Sequence, residues 1–118
     1  MVIIRIYADE NGKTHIEDIE PKFTSRPGWP KDEDAVIHEG SGILMRRYDP
    51  SRSNDWHPSP GRVCVFTLSG GLEIEVSDGT KRRIGTGDIV IAEDPEGEGH
   101  ITREIGPEPR VSIYVPLR

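Results

Sequence analysis

The stretch Trp56-His57-Pro58-Ser59-Pro60-Gly61-Arg62-Val63-Cys64-Val65-Phe66-Thr67-Leu68-Ser69-Gly70-Gly71-Leu72 decides how this chain is read. It opens with a histidine in a proline-rich turn, which excludes a central strand because proline has no amide hydrogen for the ladder. Val63 to Leu68 follows as an almost wholly apolar run, the mark of a buried strand. Ser69-Gly70-Gly71 breaks that run, and Leu72-Glu73-Ile74-Glu75-Val76 then alternates, apolar on one face and acidic on the other. Downstream, Asp78-Gly79 is a hairpin signal and Lys81 to Ile84 returns from it. Gly85-Thr86-Gly87-Asp88 opens the short apolar strand Ile89-Val90-Ile91-Ala92. Glu93-Asp94-Pro95-Glu96-Gly97-Glu98-Gly99 leads from there to His100, which begins a strand reaching Glu104. Val111, Ile113, Val115 and Leu117 alternate in a strand that closes the sheet. Upstream, Val2 to Tyr7, Thr14 to Glu20 and Ile43 to Tyr48 read as strands. Lys22 to Asp34, with Pro27-Gly28-Trp29-Pro30 and a charge run, reads as a surface loop.

Composition agrees with that reading. A chain of 118 residues suits one domain, and 33% hydrophobic against 31% charged residues calls for a compact core. With 13 glycines and 10 prolines between short apolar runs and no helical period, the expected fold is an all-β sandwich or barrel. The net charge of −6, with basic residues scattered, argues against a nucleic-acid partner, which needs a basic stripe to neutralise phosphates. No apolar run approaches the roughly 20 residues that span a bilayer, so no membrane partner is expected. Met1 to Tyr7 is too short and too charged for a signal peptide. The single Cys64 rules out an internal disulfide and a cysteine-cluster metal site; it reads as a small buried hydrophobe in a cytoplasmic protein.

Two motifs carry a resemblance. The first cupin signature, G-x5-H-x-H-x3,4-E-x6-G, is matched by His57 at its first histidine and Gly70 at its closing glycine. Ser51, Ser59 and Val63 stand at its opening glycine, second histidine and glutamate. The second, G-x5-P-x-G-x2-H-x3-N, is matched in order by Gly87, Pro95, Gly97 and His100. Two extra residues precede that proline, and Glu104 takes the asparagine position. Over residues 43 to 117 the chain therefore resembles the cupin superfamily, and as a whole it is similar to small bacterial single-domain cupins. The resemblance implies a single antiparallel β-barrel of jelly-roll type over residues 1 to 118, with residues 1 to 42 as an N-terminal strand extension.

It also implies a site at the barrel mouth. Family metal centres hold Zn, Mn, Fe or Ni with two histidines and a glutamate from the first signature and a histidine from the second. Here only His57 and His100 remain as metal candidates, so the sequence fixes no cofactor. The same two imidazoles serve equally as a proton-transfer pair, with Glu93, or its neighbour Asp94, orienting the ring of His100. Trp56, Ser59, Val63, Val65 and Tyr48 are candidates to line a ligand cavity, and His15 joins them if the N-terminal strand folds over the barrel. With serine and valine at the family's ligand positions, the interior is expected to prefer a weakly polar organic molecule. The leading expectation is a small-molecule-binding homodimer. The rivals are an isomerase, lyase or oxygenase, metal-dependent or metal-free, and a non-catalytic accessory protein.

Overall fold

The computed structural model describes residues 1–48, 61–94 and 97–118. Its strands are β1 (Ile3–Ala8), β2 (Thr14–Asp18), β3 (Thr24–Arg26), β4 (Trp29–Asp34), β5 (Leu44–Tyr48), β6 (Val63–Ser69), β7 (Gly71–Val76), β8 (Lys81–Ile84), β9 (Ile89–Glu93), β10 (His100–Ile105) and β11 (Arg110–Pro116). A six-stranded sheet runs β2-β1-β9-β6-β11-β5, a three-stranded sheet runs β10-β7-β8, and β3 and β4 form a separate hairpin.

The alternation in β7 works as its sequence demands. Leu72, Ile74 and Val76 point inward, while Glu73 and Glu75 point outward and meet Arg103. With Ile84 they pack on Ile4, Ile6, Val65 and Val90 of the larger sheet. Burying side chains of this size contributes about 1.5–3 kcal/mol each, and this cluster is the main core. The larger sheet is also covered on its outer face, where Ile3, Cys64 and Ile91 pack under Ile19, Ile37 and Leu117. Strands β1 and β9 are thus buried on both faces, which accounts for their continuous Ile-rich runs.

Three expectations change. The closed antiparallel jelly-roll barrel is instead a pair of facing sheets: β5 and β10 are edge strands, and among the described residues no ladder joins them. Side chains bridge the sheets in place of backbone, with Arg82 on Asp18 and Thr14 on Ser77 at one side and Arg110 on Glu104 at the other. The N-terminal extension is integral: β1 lies between β2 and β9 and pairs with β9 in parallel, Ile3 beside Ile89. The loop expected over Lys22 to Asp34 holds the hairpin β3–β4, with Thr24 opposite Asp34. Every residue of that hairpin's strands is exposed, so no hydrophobic period betrays it, and such a hairpin tolerates Pro30.

Two glycines of the motifs have physical reasons. Gly70 has φ +76°, and a Cβ there would lie 2.9 Å from Arg110 Cα. Gly97 has φ +98°, and a Cβ there would lie 2.7 Å from the carbonyl oxygen of Gly12. Any other residue at either position combines left-handed strain with a backbone clash.

Candidate functional site

The interior between the sheets is divided. Where β1, β9 and β6 face β7 and β8 it is apolar. Where β11 and β5 face β10 it is polar, and the strand registers show why. On the larger sheet Val65 stands opposite Tyr114, Thr67 opposite Ser112, Ser112 opposite Arg46, and Arg110 opposite Tyr48. Directly opposed residues share a face, so the polar phase of β11 turns inward. The apolar phase goes the other way: Val115 packs with Ile3, Cys64 and Ile91 on the outer face. On β10 the inward residues are His100, Thr102 and Glu104, opposite Val76, Ile74 and Leu72.

His100 is held with care. Its Nδ1 lies 2.7 Å from Asp94 Oδ2, and the Asp94 side chain has no exposed surface. In the neutral ring, an Nδ1–H donated to this carboxylate leaves the lone pair on Nε2. The approach to His100 is fixed from the N-terminal strands. The amide of Glu98 donates to Gly12 O, and the buried Thr14 hydroxyl donates to Gly99 O at 2.8 Å. Thr14 and Ser77 also exchange two bonds between backbone amides and hydroxyls. The close approach of Gly97 to Gly12 belongs to the same clamp.

At the far end of β10, about 13 Å along the strand at the usual rise per residue, lies a second polar cluster. Arg110 donates to both carboxylate oxygens of Glu104, at 2.8 and 3.1 Å, and the two side chains are each 3% exposed. Its third contact donates to the Ser112 hydroxyl. Burial alone would lower the pKa of Arg110, yet the facing Glu104 carboxylate holds it above the ordinary value. The Arg110 guanidinium stacks 3.8 Å from the Tyr48 ring centroid. The Tyr48 and Tyr114 hydroxyls are hydrogen-bonded to each other. Burial, then the neighbouring Tyr48, pushes the Tyr114 phenol up to about 12. Arg46 closes the cluster from the solvent side, 4.6 Å from the Tyr114 centroid and 5.9 Å from that of Tyr48. Thr67 is 1% exposed and its hydroxyl oxygen has no hydrogen-bond partner.

The candidates from the sequence separate into three groups. His100, Val63, Val65 and Tyr48 face the interior; Val65 is in the inner core and Val63 packs against it. His57, Trp56 and Ser59 lie outside the described residues. Glu93 and His15 do not join His100. Strand alternation sends Glu93 to the outer face, beside Tyr7, where Arg5 and Arg62 contact its carboxylate. Asp94, one residue on, is the acid that orients His100. His15 stands opposite Tyr7 and lies between Asp9 and Asp78 at 2.7 and 3.5 Å. Asp9, the closer acid, raises the imidazole pKa most. Burial pushes the Cys64 thiol up to about 11, which leaves it inert at neutral pH.

A transition-metal centre takes three or four protein ligands. Thr102 is a weak partner for His100, Val63 offers no donor, and among the described residues no three His, Cys, Asp or Glu side chains converge. The described residues therefore do not make a metal site. What sequence reasoning missed is the cluster Arg46, Arg110, Glu104, Ser112 and Thr67. Its signal is the shared polar phase of two neighbouring strands, which the apolar alternation of Val111, Ile113 and Val115 in β11 overshadows.

No family model matches the chain, and no curated protein matches it. Among solved structures it is similar to protein NMB1881 of Neisseria meningitidis, with TM-score 0.50 and 15% identity over 84% of this chain and 83% of that one. A conserved protein of unknown function from Streptococcus pyogenes, SPY1581, aligns at TM-score 0.48 and 23% identity over 71% of each chain. A putative ethanolamine utilization protein Q of Salmonella typhimurium aligns at TM-score 0.37 and 12% identity, over 99% of this chain and 95% of that one. The first likeness supports the two-sheet fold and nothing finer. No helix among the described residues is long and apolar enough to cross a membrane.

Proposed function

We propose that the chain is a cupin-type protein that binds a small polar organic molecule between its sheets. The ligand lies in the polar half of the interior, between His100 at one end and the Tyr48–Tyr114 cluster at the other. The observation that carries this reading is the inward polar phase of β10 and β11, where Arg110, Ser112, His100 and Thr102 are all at most 9% exposed. Buried polar groups hold two sheets together less well than apolar ones of equal volume; a polar ligand accounts for a polar lining. The glycine requirements at Gly70 and Gly97, which the cupin signatures share, support the same reading. Ligand-observed NMR against a library of small hydroxylated and carboxylated molecules tests it. Binders are expected, and His100→Ala should weaken them about tenfold, the loss of one hydrogen bond to a desolvated group. A library that yields no binder displaced by substitutions on β10 or β11 would remove the reading.

The Asp94–His100 pair favours a second reading, in which the imidazole is the base of a metal-free proton transfer. Turnover lost in Asp94→Asn with binding intact would favour the enzyme over the binder.

The homodimer is likewise our proposal. The outer face of the larger sheet exposes Phe66 and Met45 in one row, continued by Leu68. The hairpin β3–β4, marginal by itself in water, leaves the body beside Ile19 and Ile37 on that same face. Its acidic strand Asp32-Glu33-Asp34 is complementary to Arg47, whose cross-strand partner Val111 flanks the row. A second copy laid face to face satisfies all three. Phe66→Glu should shift sedimentation from dimer to monomer; an unchanged mass, or a monomeric parent, would refute it.

A further inference from the structure

We infer that the ligand of this interior is an anion, a small organic carboxylate, and that Arg46, Thr67 and the two phenols form the subsite for its charged end. The inference rests on the binding reading above and adds the chemical class. The charges argue first. Arg110 and Glu104 cancel in a bidentate pair sealed from solvent. Among the described residues no carboxylate faces Arg46, and its partners there are the hydroxyl of Tyr48 and the faces of two phenol rings. Counted over its described residues, the cluster therefore carries one positive charge more than it has carboxylates. A guanidinium over aromatic faces is weakly hydrated and preorganised for a planar carboxylate.

The unpaired Thr67 hydroxyl argues second, and independently. It is buried, it shares the inner face with its cross-strand partner Ser112, and Ser112 touches Arg110. A buried donor without an acceptor costs free energy; an acceptor oxygen from a ligand satisfies it. The phenol pair points to the same ligand. Burial holds Tyr114 protonated to about 12, so its phenol keeps its proton at every physiological pH. The apolar core residues Val65 and Leu72 adjoin this cluster, opposite Tyr114 and Glu104.

The experiment compares butyrate and benzoate with butyramide and benzamide, pairs equal in shape and different in charge. Calorimetry or NMR titration is run on the wild type, Arg46→Gln and Thr67→Val. Wild-type protein is expected to bind the carboxylates at least tenfold tighter than the amides, and salt should narrow that ratio. Arg46→Gln, at an exposed position, should bring it near unity. Thr67→Val should weaken the carboxylates several-fold while the melting temperature stays level or rises, because the lost hydroxyl had no partner. A fall in melting temperature with unchanged binding would assign Thr67 to structure and overturn its part. Amides and carboxylates bound alike would overturn the anion class and leave the binding reading intact. Binding of neither, together with an empty screen of the hydroxylated library, would overturn both.

Discussion

Between β1–β9 and β7–β8 the sheets meet through Ile4, Ile6, Val90, Ile74, Val76 and Ile84, none more than 5% exposed. Between β11–β5 and β10 they meet through Arg110, Ser112, Tyr48, His100 and Thr102, which are hardly more accessible. The two regions exclude water almost equally, yet only the first gains free energy by doing so. Each polar group in the second must recover its lost hydration from a partner, and the Arg110–Glu104 pair at best breaks even. The contrast teaches that one half of the interior makes the fold and the other half uses it.

Substitutions can break that contrast. Glu104→Gln leaves Arg110 buried with half its partner and should cost about 3–5 kcal/mol in denaturant unfolding. The double change Glu104→Leu with Arg110→Met should recover most of that loss, since an apolar pair of similar volume is often neutral or better. A double variant as unstable as the single one would place the pair among the groups that hold the sheets together. In the apolar half Ile74→Ala should cost about 2–4 kcal/mol, and no second substitution nearby should rescue it. Gly97→Ala should cost about 1–3 kcal/mol through positive-φ strain, and it should also shift the His100 imidazole resonances, because the same turn carries both.

The smallest expected effect is on pH dependence and lies outside both halves. His15 binds its proton more tightly in the fold than the ordinary 6.5, chiefly through Asp9. A raised pKa stabilises the fold fully below 6.5, and that contribution fades as pH rises through the folded value. His15→Gln should therefore lower the melting temperature at pH 5.5 and leave it unchanged at pH 9. An equal loss at both would show that the ring acts by packing on Tyr7 and not by charge.

Most strands were legible because hydrophobic burial writes a period into the chain. Leu72 to Val76 and Ile89 to Ala92 could be placed from residue types alone. The hairpin β3–β4 could not, since a strand pair exposed on every residue has no apolar phase to read. The site was legible at His100, where a turn glycine and an imidazole recur at a set spacing. It was illegible at Arg110, Ser112 and Tyr114, because the six-stranded sheet carries apolar residues on its outer face as well as its inner one. Val115 fits under Ile37 as well as it would fit an inner core, so hydrophobicity could not say which phase of β11 faces the second sheet. Asp94 was in view beside Glu93, and only the end of strand β9 decides which of the two turns inward.

The parallel partnership of Ile3 with Ile89 has a consequence for the order in which the molecule can form. On the ribosome the first strand emerges long before its neighbour exists, with only β2 to cover one edge. Its isoleucines stay wet until β9, more than 80 residues further along, has been made. A contact closed so late across the sequence predicts slow refolding and a window in which that strand invites aggregation. Once β9 arrives, β1 is sealed between two neighbours.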